Sequence, residues 1–110
     1  MPVGAVIVKD GQIIARAHNM IETARRSSAH AEMLALEAAE EALGAKWLTG
    51  ATMYVTLEPC SMCAGAMVLA RLSRLVIGAD DPKTGACGSL YDIVEDERLN
   101  HRVADRKSVV

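Results

Sequence analysis

The sequence predicts an α/β sandwich around one sheet, and three observations lead there. Strand-like apolar runs ("VGAVIV", "MYVTL", "RLVIG") alternate with helical stretches in the order β-β-α-β-α-β, with a fifth strand possible near the C-terminal end. The 110 residues are enough for one real core and form a single domain, 1–110, without repeats, linkers or low-complexity tracts. Apolar residues make up 51% of the chain, yet Phe is absent and the large aromatics are Trp47, Tyr54 and Tyr91. Ala, Val, Leu and Met must therefore fill the interior. Such an order of elements does not by itself name a function.

Taken in turn, "PVGAVIVKDGQIIARAHN" reads as a hairpin, with strands over 3–9 and 12–18 and a turn at "KDGQ". A helix is predicted over 29–43. Ser27 or Ser28 can cap it, Leu36, Ala39 and Leu43 share one face, and Gly44 stops it. "ATMYVTLE" is a mainly apolar strand and is expected to be covered on both faces. Pro59 suits the first turn of a second helix running to about Arg71. "RLVIGAD" is a further strand, "DPKTGACGSLYD" a Gly-rich loop, and "NHRVA" a short last strand.

The formal charge of −2 argues against a protein that grips nucleic acid by bulk electrostatics. Local basic groups remain: Arg71, Arg74 and Lys83 in one stretch, Arg102, Arg106 and Lys107 in another. Three large aromatics can hardly furnish a base-stacking sheet. No signal peptide or membrane span is visible, since Met1 leads almost directly into a strand. Three cysteines make no disulfide framework, and a C-x-x-C pair reads better as metal-binding thiolates in a reducing cytoplasm.

That pair lies in "TLEPCSMC", where Cys60 and Cys63 are spaced i, i+3 and meet on one helical face. Alone it could equally be a redox pair or two packed thiols. The stretch "AHAEM" adds His30 at the start of a helix, where an apolar residue is expected. A lone histidine there is more often merely satisfied. Together, His30-x-Glu32 and Pro59-Cys60-x-x-Cys63 form the signature of the zinc deaminases. Three ligands leave a fourth tetrahedral position open for water, which marks a catalytic site rather than a structural one. Cys87 has no paired spacing and is read as a non-ligand. Glu32 is the residue that would make the metal site an enzyme. One carboxylate beside the metal can take a proton from water and deliver it to the ring nitrogen and the leaving ammonia. The plainer alternative is a solvated helix glutamate such as Glu37 or Glu40.

At this point the sequence resembles the bacterial tRNA-specific adenosine deaminases. The likeness runs over about residues 2–103, through "PVGAVIV", "AHAEMLAL", "ATMYVTLEPCSMCAGAMVLAR", "GADDPKTGACGSLYDI" and "LNHRV". It implies a cytidine-deaminase-like α/β/α sandwich around a mixed four- to five-stranded sheet. It implies one Zn2+ per chain on His30, Cys60 and Cys63, with Glu32 as proton shuttle. Asn19 would hydrogen-bond the flipped base, Asp81 would lie near the ribose of the target nucleotide, and Lys83 would contact phosphate. The substrate would be the wobble adenosine of a tRNA anticodon stem-loop, and the protein a cytoplasmic homodimer packing near the zinc helices. Family members usually carry a helix before "PVGAV" and another after "NHRV", which this chain lacks. "RRSSAHAE" lacks the Asp-Pro often found before the ligand histidine. Without terminal helices, one apolar sheet face would have to be covered by a neighbouring subunit or by the C-terminal "VADRKSVV". Two alternatives stay open: a deaminase of a free base or nucleotide (guanine or cytosine), and an inactive truncated zinc module.

Overall fold

The computed structural model of the chain describes residues 3–19 and 30–107. Its elements are β1 (Gly4–Lys9), β2 (Gln12–His18), α1 (Ala31–Leu43), β3 (Thr52–Leu57), α2 (Ser61–Leu69), β4 (Arg74–Ala79) and β5 (Ala104–Lys107). The strands form one sheet in the order β2-β1-β3-β4-β5. β1 is antiparallel to β2 and β3, while β3, β4 and β5 run parallel, so the sheet is mixed. The first hairpin closes on Asp10 and Gly11, both at positive φ (53° and 75°). Those angles belong to the tight turn whose twist matches a β-hairpin, and Asp-Gly tolerates them best.

Burial alternates along the central strands. Ala5, Ile7, Met53, Val55, Leu75 and Ile77 are buried, and register places Ile7 beside Met53 and Met53 beside Leu75 on one face. Both helices press on that face, α1 through Ala31, Ala35, Leu36 and Ala39, α2 through Cys63, Ala64, Met67 and Val68. Alanines at these positions let helix and sheet approach closely, and the largest fully buried side chains are Ile, Leu, Met and Val. An interior without large aromatics is thus realised. The opposite face carries Val6, Tyr54 and Val76 in register, with Tyr54 47% exposed. Coverage of β3 on both faces is therefore not found among the described residues. The reason lies in the strand itself: its outward positions are Thr52, Tyr54 and Thr56, so an apparently continuous apolar run alternates.

Several boundaries shift. α1 begins at Ala31, its N-cap is His30 in extended conformation, and His30 makes no side-chain cap. Ser27 and Ser28, expected there, lie outside the described residues. The first helical amide is instead met by a distant residue, since Ala31 N–H donates to Asn19 Oδ1 at 2.9 Å. Gly44 ends the helix as expected, in the left-handed region (φ 62°). α2 opens at Ser61 with Cys60 as N-cap, so Pro59 precedes the helix rather than sitting in its first turn. The Pro59 carbonyl is occupied by Ala86 N–H (2.9 Å). The last strand starts at Ala104 instead of 100, because Val103 N–H bonds to the Val94 carbonyl (2.7 Å) and not to β4. Arg71 and Arg74 lie at the start of β4 and Lys83 beyond its end, a strand length of roughly 20 Å apart, so they do not make one patch. No described helix is long and apolar enough to cross a membrane.

Candidate active site

The parallel pair β3–β4 ends at Leu57 and Ala79, and the chain segments that carry chemistry gather at that edge. This is where open α/β sheets place ligands. Asn19 follows β2, His30 precedes α1, Cys60 and Cys63 open α2, and Asp81 follows β4. His30, Cys60 and Cys63 come together as a metal-ligating cluster. The two sulfurs are 3.7 Å apart, and His30 Nδ1 lies 3.7 Å from Cys60 Sγ and 3.4 Å from Cys63 Sγ. A tetrahedral zinc with ordinary bond lengths asks for about 3.8 Å between two sulfurs and about 3.6 Å between sulfur and nitrogen. The donor set fits that ion in type and in spacing.

Glu32, in the first turn of α1, is 4% exposed, and its Oε1 has no hydrogen-bond partner. Burial pushes its carboxyl up, with its own amide, His30 and the Cys63 thiol pulling the other way. Burial also pushes the Cys63 thiol up, and the neighbouring Glu32 and Cys60 add to this. Two thiols and a carboxyl crowded together disfavour one another's charged forms, and a divalent cation among them reverses that balance. An orphaned buried carboxylate oxygen is rare, and here it sits beside the ligand cluster in a cleft shared with Asn19, Leu57, Asp81 and Thr84.

Asn19 lines this cleft while capping α1: its carboxamide oxygen accepts the Ala31 amide, and its Nδ2 donors can meet a ligand. Asp81 also lines it. Its Oδ1 accepts the amides of Lys83 (3.0 Å) and Thr84 (3.3 Å), its Oδ2 accepts the Thr84 hydroxyl (2.7 Å), and that hydroxyl foremost holds the carboxyl below its usual range. Oδ1 thus meets two donors, while Oδ2 retains a second lone pair. Lys83 is exposed and does not line the cleft. Cys87 is buried outside the cluster, as the reading of a non-ligand requires.

One residue of this site went unassigned in the sequence. Glu58 is 3% exposed, and its carboxylate accepts the amides of Asp81 (3.1 Å), Cys87 (2.9 Å) and Ser89 (3.0 Å) and the Ser89 hydroxyl. Burial alone would raise its carboxyl, but these four donors outweigh burial and hold it low. The available signal was a charge closing an apolar strand immediately before the metal motif.

Comparison with known proteins agrees with this geometry. The family model of the MafB19-like deaminases matches residues 1–109. A tRNA-specific adenosine deaminase of Bacillus subtilis is 58% identical over 102 residues, covering 93% of this chain and 63% of the relative. One from Aquifex aeolicus is 48% identical, covering 94% and 68%. The chain thus spans about two thirds of the length of such relatives. Among solved structures, a tRNA:A34 deaminase that performs A-to-I editing at the wobble position superimposes with a TM-score of 0.91 at 43% identity, covering 96% of this chain and 77% of that one. A guanine deaminase from Bacillus subtilis superimposes with a TM-score of 0.72 at 34% identity, covering 98% and 71%. The chain belongs to the MafB19-like deaminase family and is similar to the tRNA-specific adenosine deaminases.

Proposed function

We propose that this domain deaminates adenosine to inosine in RNA, at the wobble position of a tRNA anticodon loop, with one zinc per chain. The observation that carries the reading is the unpartnered Glu32 oxygen set beside the His30, Cys60 and Cys63 cluster. Zinc, when bound by those three residues, supplies Lewis-acid chemistry that makes water a competent nucleophile near neutral pH. Glu32 takes one proton of the attacking water and passes it to the ring nitrogen, then takes the proton of the added hydroxyl and delivers it to the amino group as the C–N bond breaks. Water is consumed and ammonia leaves. Burial suits Glu32 to this work, because a carboxyl raised toward neutrality can both accept and return a proton. Asn19 offers its Nδ2 donors to an acceptor on the flipped base. Asp81, through the remaining lone pair of Oδ2, accepts from a ribose hydroxyl. Lys83, outside the cleft, meets a flanking phosphate.

The preference for adenosine in tRNA over a free base draws its support from the named relatives and from a TM-score of 0.91 against 0.72 for the guanine deaminase. The protein acts in the cytoplasm, a reducing setting in which Cys60 and Cys63 stay available as thiolates. It works as a homodimer. The outer side of α2 offers an apolar groove lined by Met33, Met62, Leu69, Ile93 and Leu99, with Leu69 80% exposed, the kind of surface a second copy covers. The test is inosine formation on an anticodon stem-loop beside free adenosine, cytosine and guanine. Conversion confined to the stem-loop is expected. Deamination of guanine or cytosine instead, or of nothing by the zinc-loaded protein, overturns the reading.

A further inference from the structure

Glu58 is a buried carboxylate, and among the described residues no lysine or arginine forms an ion pair with it. A carboxylate so placed is costly unless its lone pairs are met, and here four donors meet them. All four come from one segment. The amide of Asp81 opens that segment, and the amides of Cys87 and Ser89 with the Ser89 hydroxyl close it. Two oxygens of one side chain therefore gather a loop into a closed ring of bonds. Glu58 itself has little freedom to move. Its amide continues the β3–β4 ladder to the Ala79 carbonyl (2.8 Å), and Pro59 and the metal-ligating Cys60 follow directly.

The loop packs against this carboxylate without slack. A side chain at Gly85 would collide with Glu58 and with the Asp81 carbonyl, so glycine is required there by space rather than by backbone conformation. Backbone bonds finish the join, with Ala86 N–H on the Pro59 carbonyl and a bridge between Cys60 and Gly85. The outcome falls on Asp81. Its amide is held by Glu58 while its carboxylate is held by Lys83 and Thr84, so backbone and side chain are both fixed at the mouth of the cleft.

We propose that Glu58 is a positioning residue for substrate recognition: its carboxylate sets the 81–89 loop, and Asp81 with it, against the metal-ligating turn. The inference builds on the deaminase reading above. Glu58 lines the same cleft, but both its carboxylate oxygens are occupied by donors of the loop, so it acts through the loop.

The test compares wild type with Glu58→Gln and Gly85→Ala in the zinc-loaded protein. Three quantities are read: amide exchange across 81–92, zinc content, and kcat and KM on an anticodon stem-loop. Glu58→Gln turns two acceptor sites into donors facing the Cys87 and Ser89 amides. Exchange in the loop should rise at least about tenfold, with one zinc retained and exchange in the β1–β3 core unchanged. KM should rise roughly 10- to 100-fold with kcat within about threefold, in keeping with hydrogen bonds to a charged group. Gly85→Ala, approaching from the loop side, should give the same pattern. Should Glu58→Gln fail to fold, Ser89→Ala removes one donor only and should show a smaller shift in the same direction. Unchanged loop exchange overturns the proposal. So does zinc loss in step with exchange of the whole chain, which would make Glu58 a general support, or a fall in kcat at constant KM, which would place it in the chemistry. If wild type does not act on the stem-loop, the deaminase reading fails while loop exchange and zinc content still decide the role of Glu58.

Discussion

Replacing Glu32 by Gln separates catalysis from folding, because this residue carries a cost in the fold and, in the proposed reaction, a role in the chemistry. The side chain is 4% exposed and Oε1 has no partner, so the folded state bears the desolvation of a carboxylate oxygen without a bond in return. An unmet buried polar atom costs about 1–3 kcal/mol. Glutamine keeps the shape and still places an unmet polar atom there but removes the charge, so only the charged part of that cost, about 1 kcal/mol, should be recovered when both proteins are compared in chelator, where no cation offsets the charge. Unfolding entropy near 2.1 cal/mol/K per residue gives about 0.23 kcal/mol/K for this chain, so each kcal/mol moves Tm by about 4 °C. The variant should therefore melt about 4 °C above wild type. Single-turnover deamination of the stem-loop should fall on the order of 10²- to 10⁴-fold, the usual contribution of a positioned acid–base group, with zinc content unchanged. A variant that melts below wild type would mean both oxygens are already satisfied. Activity within tenfold of wild type would move the proton shuttle to another group.

Elemental analysis should find one zinc per chain, chelation should abolish turnover, and added zinc should restore it; protein active without metal would refute the assignment of His30, Cys60 and Cys63. Asn19→Asp keeps the oxygen that caps Ala31 but loses the Nδ2 donors, so Tm should hold while kcat/KM falls at least about tenfold, whereas Asn19→Ala should lose about 1 kcal/mol of stability as well. Equal activity of Asn19→Asp and wild type would leave Asn19 as a cap alone. Asp81→Asn can still accept the Lys83 and Thr84 amides, so its loop should persist while discrimination between RNA and DNA hairpins of one sequence weakens; an unchanged ratio would remove the ribose contact. If the proposed homodimer packs on α2, Leu69→Glu should shift it to monomer by light scattering; a dimer that survives would place the interface elsewhere, and a monomeric wild type would refute the dimer.

Fold class, strand order along the chain and most of the core could be read from the sequence because they rest on local patterning. The Asp10–Gly11 turn, the stop at Gly44 and the helical spacing of Leu36, Ala39 and Leu43 each need only neighbours in sequence. What failed was decided over distance. The cap of α1 comes from Asn19, twelve positions upstream, rather than from an adjacent serine. β5 starts late because the Val103 amide is claimed by Val94 before it can reach β4. In β3 a threonine-and-tyrosine outer face passed as part of an apolar run, since hydropathy averaged over the run hides an alternation of period two.

The site divides along the same line. His30, Cys60 and Cys63 announce themselves because a metal demands particular donor atoms at particular spacings, and Glu32 through its fixed place two residues after His30. Glu58 makes no such announcement. Its partners lie 23, 29 and 31 positions away, and three of its four bonds are to backbone amides, which any residue type supplies. A carboxylate that binds amides leaves no mark on the identity of its partners. The mark it does leave is indirect, at Gly85, where the crowding of loop against carboxylate admits no side chain. A glycine read only as loop punctuation was thus recording the presence of a buried charge more than twenty residues earlier. The half of the site proposed to bind substrate hangs on that contact, because among the described residues Asp81 and the turn that shapes it have no other side-chain hydrogen bond to the metal-ligating turn.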